Sequence, residues 1–266
     1  MKTNRFPFVL MLAACAGALV SCGNNAPEAI AFETLKNECR YACSGDSTVD
    51  CFDVSYNLEF PKNADSEAVA TVRATLITDL FGEKYIDTKN SKLLDDYIAD
   101  CKSEYNQIAA DYEDFVAANF YVEKLNAVPL FQNESLLTYE ATRYIFTGGA
   151  HGMSSTVCWV FDLETGHQLT EDDIFVPNIS DRLTDLLRQT LRTDATSRDL
   201  PIDEFFMDQV LPNGNFAVTD EGIYYQYNPY DIAPYAFGGT RLLLNREMLK
   251  PLLRQGTAVY KLYFAD

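Results

Sequence analysis

The sequence has 266 residues, of which 39 are acidic and 21 basic, so its formal net charge at pH 7 is −18. A chain this acidic is poorly suited to bind nucleic acid or an anionic lipid surface, whereas it attracts cationic partners. The same charge also serves plain solubility, so both interpretations stay open.

The first 21 residues have the composition of an export signal. Lys2 and Arg5 form a basic start, and a short apolar run follows over residues 6–20. The residues Leu19–Cys22 resemble a lipoprotein cleavage box, so Cys22 is predicted to become a lipid-modified N-terminus. Cleavage before Cys15 and an ordinary secretory signal are the alternatives. A membrane-spanning helix would need about 20 apolar residues, more than this run offers.

Export and cleavage would leave a mature chain whose net charge is near −20, because Lys2 and Arg5 are lost and no acid is. We expect an exported protein of the cell envelope that contacts the membrane only through its lipid. Residues 22–33 are small and polar at first and are predicted to be a tether. Residues 34–266 are predicted to form one domain, with an N-terminal half over 34–130 and a C-terminal half over 131–266.

Five cysteines remain in the predicted mature domain. An oxidising compartment favours disulfide bonds, but an odd number leaves at least one thiol unpaired. Cys158 lies in an apolar run and is predicted to be a free, buried thiol. The spacing of the first three contains no histidine and matches no zinc motif. The five are Cys39, Cys43, Cys51, Cys101 and Cys158.

The N-terminal half reads as strand, two helices, then strands. Residues 51–60 alternate between apolar and polar side chains, which is typical of a half-buried strand. Ser66 is predicted to cap a helix with Val69, Val72, Leu76 and Leu80 on one side. A second helix is predicted from Ser91, with a stripe of apolar and tyrosine side chains: Leu94, Tyr97, Ile98, Cys101, Tyr105, Ile108, Tyr112 and Phe115.

Strands return after residue 119. They are predicted at Phe120–Leu125, Leu136–Thr147 and Thr156–Asp162, the last as a central strand because it is almost continuously apolar. Thr170 and Asp173 form a capping box, and Ser180 is predicted to cap a helix with a leucine stripe. A short helix is predicted over Pro201–Val210, with Phe205, Phe206 and Val210 directed inward.

The last part of the chain contains a hairpin signal around residues 220–222, which lie between strands at 216–218 and 223–227. A strand at 240–244, a helix capped by Asn245 and a closing strand at Val259–Phe264 follow. Short hairpin links imply antiparallel pairing. The predicted fold class is therefore α+β, a twisted and mainly antiparallel sheet with helices grouped on one face.

One glycine-rich stretch is the candidate for a functional corner. Gly148, Gly149 and Gly152 surround His151, and glycine permits both positive φ and close backbone approach. His151 could simply tie the corner together through backbone carbonyls, or it could contact a ligand. We take Gly149 and His151 as candidate ligand contacts.

Tyrosines are concentrated near residues 224–235. Tyr225 and Tyr227 are predicted to belong to the core by alternation. Tyr230 and Tyr235 lie in a proline-rich stretch and are predicted to be ligand contacts, because tyrosine offers a large amphipathic face to a protein or a glycan.

No enzyme motif accompanies the corner. His151 and His167 are the only histidines, and their separation does not fit a zinc pair. The glycines belong neither to a phosphate-binding loop nor to a nucleophile elbow. We therefore predict no catalytic residue, no metal site and no cofactor.

Two stretches together resemble a known exported family. The first is Tyr144–Gly152, with Val160–Gly166 and Thr170–Phe175 after it, and the second is Gly222–Gly238. They are similar to the extracellular domain of the lysozyme-sensing anti-sigma-V factor, which is also the non-catalytic part of a peptidoglycan N-acetylmuramic acid deacetylase. The resemblance covers most of the predicted mature chain.

This resemblance implies a binding module of the cell envelope, which captures lysozyme in the anti-sigma factor. The expected partners are lysozyme or another cationic protein, or peptidoglycan fragments. The chain departs from the family in having no recognisable sigma-binding segment, transmembrane helix or deacetylase motifs. The rival interpretations are a cell-wall glycan hydrolase or deacetylase, and a purely structural envelope lipoprotein.

Overall fold

The computed structural model describes residues 29–43, 46–62, 66–111 and 120–264. The predicted signal over 1–21, the lipidation site Cys22 and most of the tether lie outside these ranges. Tyr112 and Phe115, the last two positions of the predicted stripe, lie outside them as well. Within the described ranges, no helix combines the length and apolar character needed to cross a bilayer.

A five-stranded sheet forms the larger part of the fold, with its strands in the order β1-β2-β3-β4-β5. Only the β2–β3 pair is parallel, and the other three pairs are antiparallel. The α+β prediction, with its mainly antiparallel sheet, is confirmed. The strands are β1 (Phe32–Cys43), β2 (Asp46–Pro61), β3 (Tyr121–Gln132), β4 (Leu136–Phe146) and β5 (Met153–Asp162).

Two helices connect β2 to β3 and cover one face of this sheet, α1 (Glu67–Phe81) and α2 (Asn90–Asp111). Ser66 caps α1 as predicted, accepting a hydrogen bond from the backbone N–H of Val69 at 3.5 Å. Four predicted inward positions of α1 are buried: Val69, Val72, Leu76 and Leu80. In α2, Ile108 departs from the predicted stripe and is 48% exposed.

A second, three-stranded sheet packs with the remaining helices around a separate apolar core. The predicted hairpin and the following strand are confirmed, and so is the Asn245 cap, which accepts from the Met248 N–H at 3.1 Å. The elements are β6 (Phe216–Val218), β7 (Gly222–Tyr227), β8 (Thr240–Asn245), α3 (Glu171–Ile174), α4 (Ser180–Ser197), α5 (Arg246–Leu249) and α6 (Ala258–Phe264).

The closing strand predicted at Val259–Phe264 is wrong, because this segment is helix α6. The Thr257 hydroxyl accepts from the Tyr260 N–H at 3.1 Å at the start of the helix. Val259 and Tyr263 are then one turn apart and both buried. The Tyr263 hydroxyl donates to two carbonyl oxygens of the β6–β7 hairpin, and these contacts tie the helix to the hairpin.

Three further predictions need correction. The helix predicted over Pro201–Val210 is instead two separate 3₁₀ turns, since the N–H of Phe206 between them pairs with the Ile232 carbonyl. Phe206, predicted to be directed inward, is 39% exposed. Ser180 is the first residue of α4, whereas Ile179 occupies the cap position with no side-chain bond. The apolar strand β5 lies at the edge of its sheet and not at its centre. Its second half, residues 158–161, is buried because both faces are covered there, by α1 and by the small sheet, whereas Met153 and Val157 are each 41% exposed.

The fold also begins earlier than the expected end of the tether. Strand β1 starts at Phe32, and Ile30 before it is buried. Strand β1 was not predicted from the sequence, because its inward positions include the polar Asn37. That side chain donates to Asp95 of α2 at 2.5 Å, so a polar contact replaces apolar burial at this edge.

A buried carboxylate holds the sheet and α2 together. Glu123 on β3 is 1% exposed. The hydroxyls of Tyr56 and Tyr121 donate to its Oε2 at 2.9 Å each, and the Tyr97 hydroxyl donates to Oε1 at 3.4 Å. Arg143 Nε lies 3.4 Å from the same Oε1. Burial, and next the Glu123 charge, raises the pKa of all three tyrosines. We call this group the Glu123 cluster.

The cysteines follow the sequence prediction in part. Cys51 is disulfide-bonded. Cys158 is a free and buried thiol, as predicted, and Cys39 and Cys101 are free as well. Burial and then the neighbouring Glu140 carboxylate raise the pKa of Cys158 to about 12, so the thiolate is scarce at neutral pH.

Candidate functional site

The glycine stretch forms the corner between β4 and β5. Gly148 and Gly149 have φ angles of 97° and 93°, which glycine adopts without steric cost. Gly152 is needed for another reason, because a Cβ atom there would overlap the phenol ring of Tyr144. The corner is therefore built by backbone geometry at two glycines and by close ring packing at the third.

His151 contacts Tyr230 and Tyr235, the two tyrosines predicted to be ligand contacts, although they lie about 80 residues later in the sequence. Its ring stacks on Tyr235, with 4.0 Å between ring centroids and 22° between planes. The Tyr230 hydroxyl lies 3.4 Å from His151 Nε2. Tyr230 and Tyr235 are themselves 5.5 Å apart at their centroids. We call His151, Tyr230 and Tyr235 the aromatic corner.

The backbone of Gly152 fixes two of these rings. Its carbonyl oxygen lies 3.0 Å from His151 Nδ1 and accepts the Tyr235 hydroxyl at 2.8 Å. Because a carbonyl can only accept, Nδ1 must carry the proton in this contact, which leaves Nε2 of a neutral ring as an acceptor for Tyr230. His151 thus makes a hydrogen bond to a backbone carbonyl, as expected if it ties the corner together, and the residue is nevertheless exposed to solvent.

Tyr230 occupies an unfavourable backbone position. The N–H of Asp231 bonds to the Asn228 carbonyl at 3.0 Å, which closes a four-residue turn with Pro229 second and Tyr230 third. Tyr230 has a φ of 74°, as the third residue of a type II turn requires, and glycine or asparagine normally fills that place. A tyrosine here is a steric outlier, and its side chain is nevertheless 48% exposed.

Asparagine side chains dock this turn onto the free edge of β5. Asn228 Oδ1 accepts from the Thr156 N–H at 2.7 Å, and its Nδ2 donates to the Thr156 carbonyl at 3.2 Å. Asn215, which directly precedes β6, makes a second pair of bonds to the same edge: its Oδ1 accepts from the Cys158 N–H at 2.9 Å, and its Nδ2 donates to the Thr156 carbonyl at 2.8 Å. The two side chains satisfy backbone groups that an edge strand would otherwise expose.

The roles of Asn215 and Asn228 as positioning residues were not predicted from the sequence. The order Asn228-Pro229-Tyr230-Asp231 did carry a turn signal, since asparagine and proline favour the first two turn positions. No local pattern shows, however, that the Asn228 side chain would pair with a strand more than 70 residues earlier.

The corner is polar and aromatic, and Asp231 is the acidic side chain beside it. The Asp231 carboxylate accepts from the Asn228 N–H at 2.6 Å. In the part of the chain that the structure describes, no group of three or more His, Cys, Asp or Glu side chains is arranged to hold a metal ion. What the corner offers chemically is a stacked, partly exposed ring surface whose two tyrosine hydroxyls contact the Gly152 carbonyl and His151.

Comparison with known proteins gives one family match. The family described as "Protein of unknown function (DUF3298)" matches residues 172–247. This range contains Tyr230 and Tyr235 but neither Gly149 nor His151. No curated protein matches the sequence.

Two solved structures share the fold. A member of the DUF3298 family from Bacteroides fragilis NCTC 9343 is 24% identical with a TM-score of 0.78, covering 89% of this chain and 98% of that one. A DUF3298 family protein from Pseudomonas aeruginosa PAO1 is 19% identical with a TM-score of 0.60, covering 86% and 97%. At these identities the likeness concerns the fold alone. The relationship to the anti-sigma-V factor and the deacetylase stays a prediction.

Proposed function

We propose that this chain is a non-catalytic lipoprotein of the cell envelope that binds a cationic protein through the aromatic corner, with lysozyme as the first candidate. The proposal keeps the family relationship suggested by Tyr144–Gly152 and Gly222–Gly238, within which a domain of this kind captures lysozyme. It assigns the contact to His151, Tyr230 and Tyr235.

The backbone of Tyr230 is the observation that carries the proposal. A bulky residue at φ 74° costs on the order of 1–3 kcal/mol, which glycine at the same place would avoid. In return the ring makes a 5.5 Å contact with the Tyr235 ring and a 3.4 Å hydroxyl contact with His151 Nε2, yet the residue stays 48% exposed. Strain of this kind clusters at ligand contacts, so a use outside the fold accounts for the tyrosine.

Charge supports a cationic partner. The full chain has a net charge of −18. Such a field steers a basic protein toward the surface and raises its association rate by roughly 10- to 1000-fold at low salt. An arginine or lysine of the partner could then lie over the face of Tyr230 or Tyr235, a contact worth about 0.5–2 kcal/mol.

Surface plasmon resonance against lysozyme at two salt concentrations tests this function. We expect salt to slow association, whereas Tyr230→Ala and Tyr235→Ala should mainly speed dissociation, by about tenfold or more for an anchor worth 1.4 kcal/mol. Ile108→Ala is the control, because Ile108 is also 48% exposed but lies on α2. Absence of binding at micromolar lysozyme would remove this candidate.

Tyr230→Gly separates binding from folding. Glycine relieves the positive φ, so the variant should unfold at the same or a higher temperature than the parent while it loses binding. Loss of both stability and binding would instead make Tyr230 a structural residue.

Lipidation has its own test. We expect metabolic labelling with a fatty-acid probe to modify the mature protein, and Cys22→Ser to abolish the label. A labelled, membrane-bound Cys22→Ser protein would contradict the assignment.

A further inference from the structure

The aromatic corner and the point where the chain enters the fold lie at opposite ends of the five-stranded sheet. Phe32 at the start of β1 pairs with Pro61 at the end of β2. At the other end of β2, Phe52 pairs with Tyr121 of β3. Val122, the next residue of β3, pairs with Phe146 at the end of β4, beside the corner. The step from Pro61 to Phe52 corresponds to about 30 Å at ~3.3 Å per residue.

The chain is fixed at the entry end before β1 begins. Ile30 is buried, and its carbonyl accepts from Gln132 Nε2 at 3.4 Å. The Ala31 carbonyl accepts from the Lys62 N–H at 2.8 Å. Any segment that precedes Ala29 therefore leaves the fold beside Pro61 and Gln132, away from the corner.

The segment available as a tether is, when fully extended, about as long as the step from Pro61 to Phe52. Residues 22–29 could span at most about 26–29 Å when fully extended, at ~3.3–3.6 Å per residue. The acidic surface is in addition repelled by anionic lipid, which disfavours laying the sheet flat on a bilayer. Because the tether joins the fold at the entry end, a sheet that stands upright on the bilayer places the corner about a sheet length farther from the lipid than the entry end.

We infer that the aromatic corner is presented away from the membrane, so that its partner is a protein that diffuses in the surrounding solution and not a component of the same bilayer. This inference rests on the proposed lipidation of Cys22. Beyond the proposed function, the inference states that the partner arrives from the side facing away from the membrane. It also places His151, Tyr230 and Tyr235 at the membrane-distal end of the fold.

Fluorescence quenching on vesicles tests the orientation. Lipidated protein is labelled at Glu134→Cys, in the exposed turn at the entry end, or at Thr147→Cys, beside the corner. Both are bound to phosphatidylcholine–phosphatidylglycerol vesicles that carry a nitroxide quencher on the lipid headgroup. The parent protein without an added cysteine gives the background from its native thiols, and Asn126→Cys on β3 provides a label between the two ends.

We expect the Glu134→Cys label to lose the largest fraction of its fluorescence, the Asn126→Cys label less and the Thr147→Cys label least. Equal quenching at both ends, or stronger quenching at Thr147→Cys, overturns the inference. Vesicle flotation separates this result from failure of its premise. If the protein does not float with vesicles, or if Cys22→Ser floats equally well, the proposed anchor is wrong and the inference falls with it.

Discussion

Replacing Glu123 by alanine should destabilise the fold more than any surface substitution. The carboxylate accepts hydroxyl protons from Tyr56 and Tyr121 at 2.9 Å each and is 1% exposed. Removing it leaves the buried Tyr56 hydroxyl and the partly buried Tyr121 hydroxyl without their acceptor, and it leaves Arg143 without its counter-charge. An unpaired hydroxyl in the position of Tyr56, which is fully buried, is costly.

The expected loss follows from the two short bonds. Hydrogen bonds to a charged group contribute about 1.5–3 kcal/mol each, so the pair accounts for roughly 3–6 kcal/mol. The contacts of Tyr97 and Arg143 are both 3.4 Å and add little. Arg143 also donates to the Leu80 carbonyl and is 24% exposed, so part of its charge remains solvated. We expect Glu123→Ala to lower the free energy of unfolding by about 3–5 kcal/mol, the range for one partner lost from a buried pair.

Urea denaturation measures this loss as a lower midpoint at an unchanged slope. Tyr56→Phe removes one of these bonds and should cost about 1.5–3 kcal/mol, and its effect should shrink in the Glu123→Ala background because the two residues share that bond. Lys124→Ala, the next residue on β3 but exposed, is the control and should stay within about 0.5 kcal/mol. A loss below about 1 kcal/mol for Glu123→Ala, or full additivity with Tyr56→Phe, would refute the reasoning.

Three more predictions concern single sites. Gly149→Val should lower the free energy of unfolding by about 1–3 kcal/mol through backbone strain alone, since φ is 93° and an added Cβ would meet no atom within 4 Å. If the variant unfolds at the same temperature as the parent and the Ala150→Val control, this prediction is wrong. Cys158 should resist iodoacetamide in the native protein and react after unfolding, because burial raises its pKa to about 12, and rapid native alkylation measured by mass spectrometry would contradict its burial. The Thr170 N–H and hydroxyl lower the pKa of Asp173, so the stability that the Asp173 carboxylate contributes should be fully present above the ordinary pKa of 3.8 and be lost as the pH falls through the lower folded pKa. Urea midpoints of Asp173→Asn that fall with acid as steeply as those of the parent would contradict this pH dependence.

The sequence alone determined the elements whose signals are local. Alternation over residues 52–60 predicted the inward face of β2, because a strand places every second residue on one face. The side chains of that face are all buried: Phe52, Val54, Tyr56, Leu58 and Phe60. The caps at Ser66 and Asn245 act within three residues of themselves, so their side chains had only one backbone partner in reach. The glycine corner was visible for the same reason, because φ freedom belongs to single residues.

The tertiary structure alone decided the features that depend on distant partners. Tyr260 and Phe264 belong to a segment with strand propensity, yet the segment is a helix. Besides the local cap by Thr257, its Tyr263 hydroxyl donates to the Thr219 and Gly222 carbonyls, more than 40 residues away in sequence, and no local pattern shows that contact.

The candidate site shows the same division. Single-residue properties identified His151, Tyr230 and Tyr235 as candidates, but their stacking required the Asn228 side chain to dock on the edge of β5. Glu123 gave no local sign of its role, since its acceptor function exists only where β2, β3 and α2 bring three tyrosines together. Such contacts join residues far apart in sequence, and periodicity and propensity act over a few residues only.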